Sequence, residues 1–573
     1  MFVGMKIASL AIAPLAALLA TASPAIAREP APAASAAMVS AADPRAAAAG
    51  VAMLKQGGNA MDAIAATLLA LSVVEPQSSG IGGGGLLVYQ AAGAKAPTTF
   101  DGREKAPMAT TPDLFMVDGK PQPRREAVPG GRSVGVPGNI AMLGLAHARH
   151  GKLAWATLFQ PAVDLARGGY DITPRMARAI AGSRDTLART RAAAGLYLNG
   201  DGTPKAAGTR IVNEPLARVL EAVAKDGPRR FYTGDIAAGI VETVRGAPTN
   251  PSTMTIADLA SYEAKQRPAV CAPYRVWRIC TMGPPSAGGI AVIGIVKQLE
   301  GFDLAKLGPD SPTAWHLFAE SERLAFADRA AYGADSDFID VPVKGLVASD
   351  YLKGRGALIR ADATMARVVP GVPAGAAKRT PAPGGEIPST THFAAVDTAG
   401  NVASLTSTVE GGFGSSLVSG GFILNNELTD FSFEPSIGGA PVANRVQAGK
   451  RPRSSMSPTI VYDRRGRPVL AIGAAGGMTI PAQVAKAIIG VLDWKLSVQD
   501  AIALPLLYVS DDLLIAEKSP HGEPLQKMLP ALDKLGHRTA SYALPLKANG
   551  IERIAGGWRG GADPRSEGVA IGY

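Results

Sequence analysis

EIPSTTHFAAVD, residues 386–397, begins where a Pro- and Gly-rich stretch ends and an alternating apolar pattern starts. Residues 366–389, which end directly before Thr390, have the composition of a flexible linker. The continuation, THFAAVDTAGNVASLTST, predicts two strands joined by a turn at DTAGN. Positions equidistant from Ala399 pair across such a hairpin, so Thr390 is predicted to lie opposite Thr408.

Two facing threonines are commonly no more than a hydroxyl pair on a sheet surface. The linker favours another interpretation, in which the peptide bond between Ser389 and Thr390 is cut. Thr390 would then carry a free α-amine, whose reference pKa of about 8 lets it act as base for its own hydroxyl. Thr408 would orient that hydroxyl. Gly476 and Gly477, at a predicted strand-to-helix junction, would offer backbone N–H groups to a developing oxyanion.

The composition is that of a globular protein with a large core, since 47% of the 573 residues are hydrophobic and 18% are charged. The length allows two or three domains or one large α/β unit. The formal net charge is +10, but the basic residues are scattered and no aromatic residues are interleaved with them. This pattern argues against a nucleic-acid partner.

The N-terminus predicts export. Residues 1–6 are short and basic, 7–20 are apolar, and 25–27 read Ala-Ile-Ala, a small-x-small cleavage site. Residues 1–27 are therefore interpreted as a signal peptide that directs the protein to the periplasm or the exterior. No other stretch is long and apolar enough to predict a membrane span.

Strands and helices alternate in a way that predicts α/β layers. Residues 28–42 are a low-complexity lead that is predicted to be mobile, and 43–76 predict two helices joined by a Gly turn. Residues 82–85 are glycines that enter a strand. Because no Lys-Ser/Thr follows them, they are interpreted as close backbone packing near a site rather than a phosphate loop. Residues 130–360 are predominantly helical in pattern.

The two cysteines lie in AVCAPYRVWRICTM, which predicts a hairpin turning near Arg275 and Val276. Cys271 and Cys280 would face each other across it, and either a disulfide or two separate buried thiols fits the pattern. Neither is accompanied by a catalytic pattern.

Many motifs in one order resemble the γ-glutamyltranspeptidase family of self-cleaving N-terminal-nucleophile hydrolases. They include KQGGNAMDAIAA, SGIGGGGLL, FDGREKAP, MGPPSAGG, STTHFAAVD, ILNNELTDF, KRPRSSMSPTIV, AAGGMT and ADPRSEG. The resemblance implies a four-layer αββα sandwich formed by two subunits cut from one precursor. Residues 28–389 would form the large subunit and 390–573 the small catalytic subunit. It implies no cofactor, and it implies glutathione, related γ-glutamyl amides and amino-acid or peptide acceptors as substrates.

The resemblance also implies the substrate contacts. Arg103 would meet the α-carboxylate of the γ-glutamyl group, an anion suited to a guanidinium fork. Ser454 and Ser455 would donate to the same carboxylate, while Glu427 and Asp430 would accept from the α-ammonium.

Two departures from the family pattern stand out. Glu410 lies two residues beyond Thr408, where the family commonly has an asparagine on the ammonium side. Residues 431–448 are shorter than the equivalent segment of the members that have a lid, and they lack the tyrosine that covers the bound glutamyl group in those members. We therefore expect a more open site that accepts larger donors, with Glu410 either gripping the ammonium or pointing away from it.

Three histidines are less informative. His147 and His150 share a predicted helix but have no third ligand, so no metal site is predicted. His392 alternates with Thr390 along its strand and fits either packing or site support, but it is not predicted to be a base.

Two other functions remain open. One is an acylase on the same fold that removes a glutaryl-type side chain from a β-lactam nucleus. Glutaryl lacks the α-ammonium, so the acids at 410, 427 and 430 favour the glutamyl interpretation. The other is a non-catalytic exported binding protein, against which the intact Thr390, Thr408 and Gly-Gly set argues. Mass spectrometry of such a protein would find one uncut mature chain.

Overall fold

The computed structural model describes residues 34–382, 384–386 and 389–573. The predicted signal peptide lies outside this range. No helix formed by these residues combines the length and the apolar character that crossing a bilayer requires. They form a mixture of helices and strands, as predicted.

The strands of the three larger sheets are β1 (Met38–Ala41), β2 (Gly84–Gln90), β3 (Thr98–Gly102), β4 (Lys265–Pro268), β5 (Val270–Tyr274), β6 (Trp277–Thr281), β7 (Ser389–Val396), β8 (Val402–Glu410), β9 (Thr459–Tyr462), β10 (Pro468–Ala475), β11 (Leu507–Ser510), β12 (Leu513–Glu517), β13 (Arg538–Tyr542), β14 (Lys547–Ile554), β15 (Gly557–Ala562) and β16 (Val569–Gly572).

The longer helices are α1 (Pro44–Lys55), α2 (Ala60–Val74), α3 (Asn139–His150), α4 (Gln160–Gly168), α5 (Pro174–Gly182), α6 (Glu214–Asp226), α7 (Gly234–Arg245), α8 (Gly288–Gln298), α9 (Pro312–Tyr332), α10 (Ile480–Leu492) and α11 (Glu523–Lys534).

Two antiparallel sheets form the centre of the described part of the chain. One has seven strands in the order β16-β1-β7-β8-β2-β3-β4, and the other has six in the order β15-β14-β10-β9-β6-β5. Strands β7 and β8 pack against β10 of the other sheet. Helix α2 covers the seven-stranded sheet, and α8 and α10 cover the six-stranded one. Strands β7, β8 and β10 are therefore shielded from solvent on both faces.

The predicted pair of helices is α1 and α2. Asp43 caps α1 by accepting from the Arg45 N–H, and Pro44 occupies the first helical position, where it removes no hydrogen bond. Asn59 begins α2 with a reciprocal capping box. Every residue of α2 is buried, which explains why its sequence is apolar on all sides.

The prediction that residues 28–42 form a mobile lead is wrong for their last part. Met38–Ala41 is strand β1, which is fully buried and pairs with both β7 and β16. An Ala-rich segment has weak strand propensity, but pairing on both edges overrides it. Strand β1 thus lies directly beside the strand that begins at Ser389.

The cysteine-containing hairpin has the predicted turn, since β5 ends at Tyr274 and β6 begins at Trp277. Cys271 and Cys280 are direct cross-strand partners and form a disulfide. The bridge therefore lies at the edge of the six-stranded sheet.

Candidate active site

The hairpin β7–β8 places two threonine hydroxyls beside one peptide bond. Its register is the predicted one as far as Thr391 and shifts at a bulge between Ser389 and Thr391. Thr390 lies in this bulge, with its Oγ1 3.1 Å from Thr408 Oγ1. Thr390 Oγ1 donates to the Ser389 carbonyl at 2.6 Å and Thr408 Oγ1 donates to it at 2.8 Å. The Glu410 N–H donates to Thr408 Oγ1 at 2.8 Å, which orients that hydroxyl toward Ser389.

Residues that the sequence interpretation missed hold Ser389 in place. Its Oγ donates to the carbonyl of Gln77 at 2.5 Å. Glu75, two positions earlier, forms a buried ion pair with Lys547. Burial lowers the pKa of Lys547 to about 8, although Glu75 opposes the shift. Lys547 is also the cross-strand partner of Ala475, so this pair connects Ser389 to the end of β10.

The predicted strand-to-helix junction follows β10. Gly476 has φ +128° and Gly477 has φ +59°, both in the region that favours glycine. Thr479 stabilises the turn, because its N–H and its Oγ1 donate to the Gly476 carbonyl at 3.2 and 2.9 Å. Gln483 braces it from α10 by donating to Thr479 Oγ1 at 2.9 Å and to the carbonyl of Ala475 at 2.7 Å.

A cavity of about 630 Å³ opens beside this glycine turn. The residues that line it include Gly476, Met478, Arg329, Glu386 and Tyr508. The segment that precedes Thr390 therefore borders the same space as the predicted oxyanion donors.

The glycines at 82–85 approach the hairpin closely, as predicted. A Cβ added at Gly83 would lie 2.0 Å from the carbonyl oxygen of Thr408, and one at Gly82 would lie 2.1 Å from that of Ile423. Both positions exclude any other residue, because a backbone carbonyl cannot move aside like a flexible side chain. The glycine run thus allows the backbone to pack directly behind Thr408.

The predicted substrate-binding charges contact one another. Arg103 is 1% exposed, and its guanidinium forms ion pairs with Glu427 and Asp430. It also donates to the carbonyls of Pro452 at 3.1 Å and Arg453 at 2.8 Å. The predicted cation and the predicted acids therefore lie together in one buried cluster, and their contacts with a substrate stay a prediction.

Burial dominates the titration of this cluster. It raises the pKa of Glu427 well above its usual range, and the charge of Arg103 only partly offsets this. It also raises the pKa of Asp430, and it raises the pKa of Glu104 to about 7. One guanidinium therefore faces three buried carboxyl groups, each of which has a raised pKa. Asp430 Oδ1 has no hydrogen-bond partner among the described residues.

The two serines directly follow Arg453, whose carbonyl accepts from Arg103. Ser454 Oγ accepts from the Met456 N–H at 3.1 Å. Ser455 Oγ accepts from Arg329 at 2.7 Å and lies 3.8 Å from Met478 Sδ. Ser455 therefore connects the arginine-rich side of the cavity to the glycine turn.

Glu410 is a buried residue with φ +76°. Its Oε2 accepts from Asn426 Nδ2 at 2.6 Å, and Asn426 also donates to Thr429 Oγ1 at 3.1 Å. Glu427 follows Asn426 directly, so the extra carboxylate is held next to the acid cluster. Its role toward an ammonium group stays a prediction.

The three histidines singled out in the sequence make packing and hydrogen-bond contacts within the fold. His392 is fully buried, its Nδ1 is 2.8 Å from Thr406 Oγ1, and burial lowers its pKa to about 3. A Cβ at Gly473 would lie 2.3 Å from its ring, so it packs tightly between the sheets. His147 Nε2 lies 3.0 Å from the Leu153 carbonyl, and His150 stacks on Tyr89.

Segment 431–448 contains a small hairpin, Ser436–Ile437 with Ala440–Pro441, whose tip is exposed. Phe433 in this segment stacks on Phe115, and Arg124 lies over its ring. The expectation of an open site stays a prediction.

Arg103→Met is expected to lower the free energy of unfolding by about 3–5 kcal/mol, because it leaves Glu427 and Asp430 as unpaired acids in a buried site. Urea denaturation measures this. The matched control is Arg167→Met, since Arg167 pairs with Glu214 and Glu221 at the exposed surface. The control is expected to leave the unfolding midpoint nearly unchanged. Equal losses in the two variants would show that the buried cluster has no special dependence on its cation.

Comparison with known proteins supports the motif-based assignment. The sequence model described as Gamma-glutamyltranspeptidase matches residues 46–573. The glutathione hydrolase proenzyme of Bacillus subtilis (strain 168) is 35% identical over 548 residues, covering 93% of this chain and 91% of the relative. The acylase ACY 1 proenzyme of Pseudomonas sp. (strain V22) is 33% identical over 540 residues, covering 92% of each.

A solved structure agrees on the fold. The cephalosporin acylase from Bacillus halodurans superposes with a TM-score of 0.84 at 24% identity, covering 96% of this chain and 98% of that one. Glutathione hydrolases and acylases are thus both among the proteins this chain is similar to. The family match over nearly the whole sequence, together with the Thr390 hairpin and the glycine turn, shows that the chain belongs to the γ-glutamyltranspeptidase family.

Proposed function

We propose that this protein is a self-cleaving γ-glutamyltransferase and glutathione hydrolase with Thr390 as its nucleophile. Residues 1–27 direct export to the periplasm or the exterior and are removed. Cleavage between Ser389 and Thr390 then gives a large subunit, 28–389, and a small subunit, 390–573, which together form the αββα sandwich. The donors are glutathione and related γ-glutamyl amides, and the acceptors are water, amino acids or peptides.

The observation that carries the proposal is the contact of two hydroxyls with the Ser389 carbonyl. Thr408 polarises that carbonyl, and the Thr390 oxygen attacks its carbon. The C–N bond breaks as the hydroxyl proton passes to the departing nitrogen, which leaves Ser389 bound to Thr390 as an ester. Water hydrolyses the ester to a Ser389 carboxylate and restores the Thr390 hydroxyl, now beside a free α-amine.

The same hydroxyl then reacts with the donor. The α-amine of Thr390 takes the hydroxyl proton as the oxygen attacks the γ-amide carbon. The N–H groups at Gly476 and Gly477 stabilise the oxyanion. The leaving amine takes the proton and departs, and a γ-glutamyl ester remains. Water or an acceptor amine attacks this ester, giving glutamate or a new γ-glutamyl amide.

Burial of the acid cluster supports recognition of a γ-glutamyl group. Glu427 and Asp430 are almost completely buried, and Asp430 Oδ1 is available as an acceptor among the described residues. Buried acceptors of this kind suit an ammonium group, because a substrate lacking it would leave them unpaired. Glu410, which is buried and accepts from Asn426 directly before Glu427, adds a third carboxylate on the ammonium side.

A second candidate function is a glutaryl or cephalosporin acylase. It is favoured by the acylase relative, which is 33% identical to this chain along nearly its full length. The substrates of the two candidates differ in one group: a γ-glutamyl substrate has an α-ammonium, and a glutaryl substrate does not. Only the γ-glutamyl substrate therefore needs acidic partners in the site.

Anilide release by the matured protein distinguishes the two. We expect γ-glutamyl-anilide to react with a kcat/KM about 10- to 100-fold above that of glutaryl-anilide, the value of one or two charge-assisted hydrogen bonds. Asp430→Asn, which keeps the shape and removes the charge, should reduce this preference by lowering only the γ-glutamyl rate.

A preference for glutaryl-anilide would instead establish the acylase. Glutathione and bulkier γ-glutamyl donors are included in the same assay. If the bulkier donors react no better relative to glutathione than they do in a relative with a full lid, the open-site prediction is wrong.

A further inference from the structure

Helix α9 contacts the linker, residues 366–389, at more than one point. The Gly371 N–H donates to Asp328 Oδ1 at 2.8 Å. Eleven residues later along the chain, the Ala382 N–H donates to the Ala330 carbonyl at 3.0 Å. The last turns of one helix therefore hold two separate parts of a segment whose composition predicts flexibility.

The contact of α9 nearest to the predicted cleavage bond is an ion pair between Arg329 and Glu386. Only 2% of the Arg329 side chain and 7% of the Glu386 side chain are exposed. Arg329 also donates to Ser455 Oγ at 2.7 Å, which orients its guanidinium. A buried pair of this kind depends on both partners, because removing one leaves the other charge buried and unpaired.

The sequence around Glu386 offers little else to hold this part of the linker. Residues 380–389 read TPAPGGEIPS, in which Glu386 is the only charged residue. Ordering such a stretch costs conformational entropy, most of all at its two glycines. The stretch also packs closely, since a Cβ added at Gly384 would lie 2.9 Å from Met478 Sδ and 3.0 Å from the Arg329 guanidinium. Glu386 is therefore the one side chain of this stretch that can hold it by an ion pair.

The residue before the predicted cleavage bond is held by separate contacts. Ser389 Oγ donates to the Gln77 carbonyl at 2.5 Å, and the Ser389 carbonyl accepts from the hydroxyls of Thr390 and Thr408. Only two residues lie between Glu386 and Ser389, so the covalent chain transmits a displacement of the one to the other. The position of Glu386 thus bears on the geometry of the carbonyl that is attacked.

We propose that the ion pair between Arg329 and Glu386 positions the linker for self-cleavage, so that the Ser389 carbonyl carbon stays within reach of the Thr390 hydroxyl. The inference rests on the proposed function. Both are positioning residues, because the bond changes involve only the Thr390 oxygen, the carbonyl carbon and the departing nitrogen. The pair raises the fraction of uncut chains in which the attack can occur. Cleavage separates the linker from Thr390, so turnover of the donor does not need the pair.

Glu386→Gln tests this role, because it keeps the shape of the side chain and removes the charge that pairs with Arg329. A pulse-labelled chain from cell-free translation is followed on denaturing gels. We expect cleavage between Ser389 and Thr390 to be about 10- to 100-fold slower, the effect of a small misplacement of reacting atoms. Glu386→Asp, which keeps the charge, should be cut faster than Glu386→Gln. Once fully cut, Glu386→Gln should keep kcat/KM for γ-glutamyl-anilide within about 3-fold.

Glu552→Gln is the matched control. Glu552 is buried and forms an ion pair with Arg559, and its cross-strand partner is Leu470, near the end of β10 that lies away from the glycine turn. This variant should also lose stability, but it should be cut at the unaltered rate within about 2-fold. Equal slowing in the two variants, or no slowing in Glu386→Gln, would overturn the proposal. If the unaltered chain is not cut before Thr390, it is the proposed function that fails.

A second measurement does not require cleavage. In the Thr390→Ala chain, which is expected to stay uncut, hydrogen exchange is followed by mass spectrometry of peptides that include Ala382. Adding Glu386→Gln should make these peptides exchange several-fold faster, because the linker is released from α9. Adding Glu552→Gln should leave their exchange unchanged. Exchange that is indifferent to Glu386→Gln would refute the positioning role, whatever the cleavage rates.

Discussion

Thr390→Ala is expected to leave the chain as one polypeptide and to lower kcat on γ-glutamyl-anilide by about 10⁴- to 10⁶-fold, the scale seen when a catalytic nucleophile is removed. Both effects follow from one atom. Thr390 Oγ1 is the hydroxyl next to the Ser389 carbonyl, and the proposed mechanism uses it first on that bond and then on the donor. Denaturing gel electrophoresis measures the first effect, and anilide release measures the second.

Thr391→Val is the matched control for this variant. Thr391 is equally buried on the same strand, and its Oγ1 has no hydrogen-bond partner among the described residues. Removing an unpaired buried hydroxyl without changing the side-chain shape is nearly neutral or stabilising. The control should therefore be cut normally and keep kcat/KM within about 3-fold.

Two outcomes would contradict the shared use of one hydroxyl. A Thr390→Ala chain that still separates into two polypeptides would place cleavage elsewhere or assign it to another group. N-terminal sequencing of the small subunit of the unaltered protein gives the second check, because it should begin Thr-Thr-His-Phe.

The parts of the site that could be predicted from sequence are the local ones. The turn at DTAGN determines the register of β7 and β8, because a short hairpin leaves few other pairings. The hydroxyls of Thr390 and Thr408 are therefore in contact, although the bulge at Thr390, which the sequence did not predict, shifts the register there. The role of the glycines at 82–85 could also be predicted. Residues without a Cβ allow two backbone segments to approach each other closely, and this run does so.

The parts that could not be predicted depend on contacts between distant segments. Strand β1 has a sequence without strand character, and its pairing with β7 and β16 comes from the tertiary structure. The motifs predicted Arg103, Glu427 and Asp430 as separate site residues. Their pairing with one another could not be predicted, because only the fold brings the two loops that carry them together. A pattern of charges does not distinguish a substrate contact from an internal ion pair.

Arg329 and Lys547 were missed for a related reason. Charged residues within a helical or strand pattern usually mark a solvated face. Helix α9 is exceptional because Glu320, Glu322 and Arg329 are buried along with its apolar residues. Such a helix can be recognised only when the elements that cover it are known.

Gly476→Ala is expected to lower kcat on γ-glutamyl-anilide by about 10²- to 10³-fold, the cost of losing an oxyanion donor. The residue has φ +128°, and a Cβ there would lie 2.4 Å from the carbonyl oxygen of Pro545 and 2.6 Å from Thr479 Oγ1. A backbone carbonyl cannot rotate away as a side chain can. The turn itself must therefore move, and such a movement would redirect the N–H groups that the proposed mechanism assigns to the oxyanion.

Backbone strain alone is expected to lower stability without lowering activity. Gly466→Ala measures this effect separately. Gly466 has φ +75° in the turn between β9 and β10, and a Cβ there would meet nothing within 4 Å. This control should lose about 1 kcal/mol of stability for adopting a left-handed conformation and should keep kcat/KM within about 2-fold. Urea denaturation and anilide release are measured on both variants. If Gly476→Ala loses stability like the control but keeps its activity, the backbone of this turn is not an oxyanion donor, and the charge that develops on the γ-carbonyl must be stabilised by other groups.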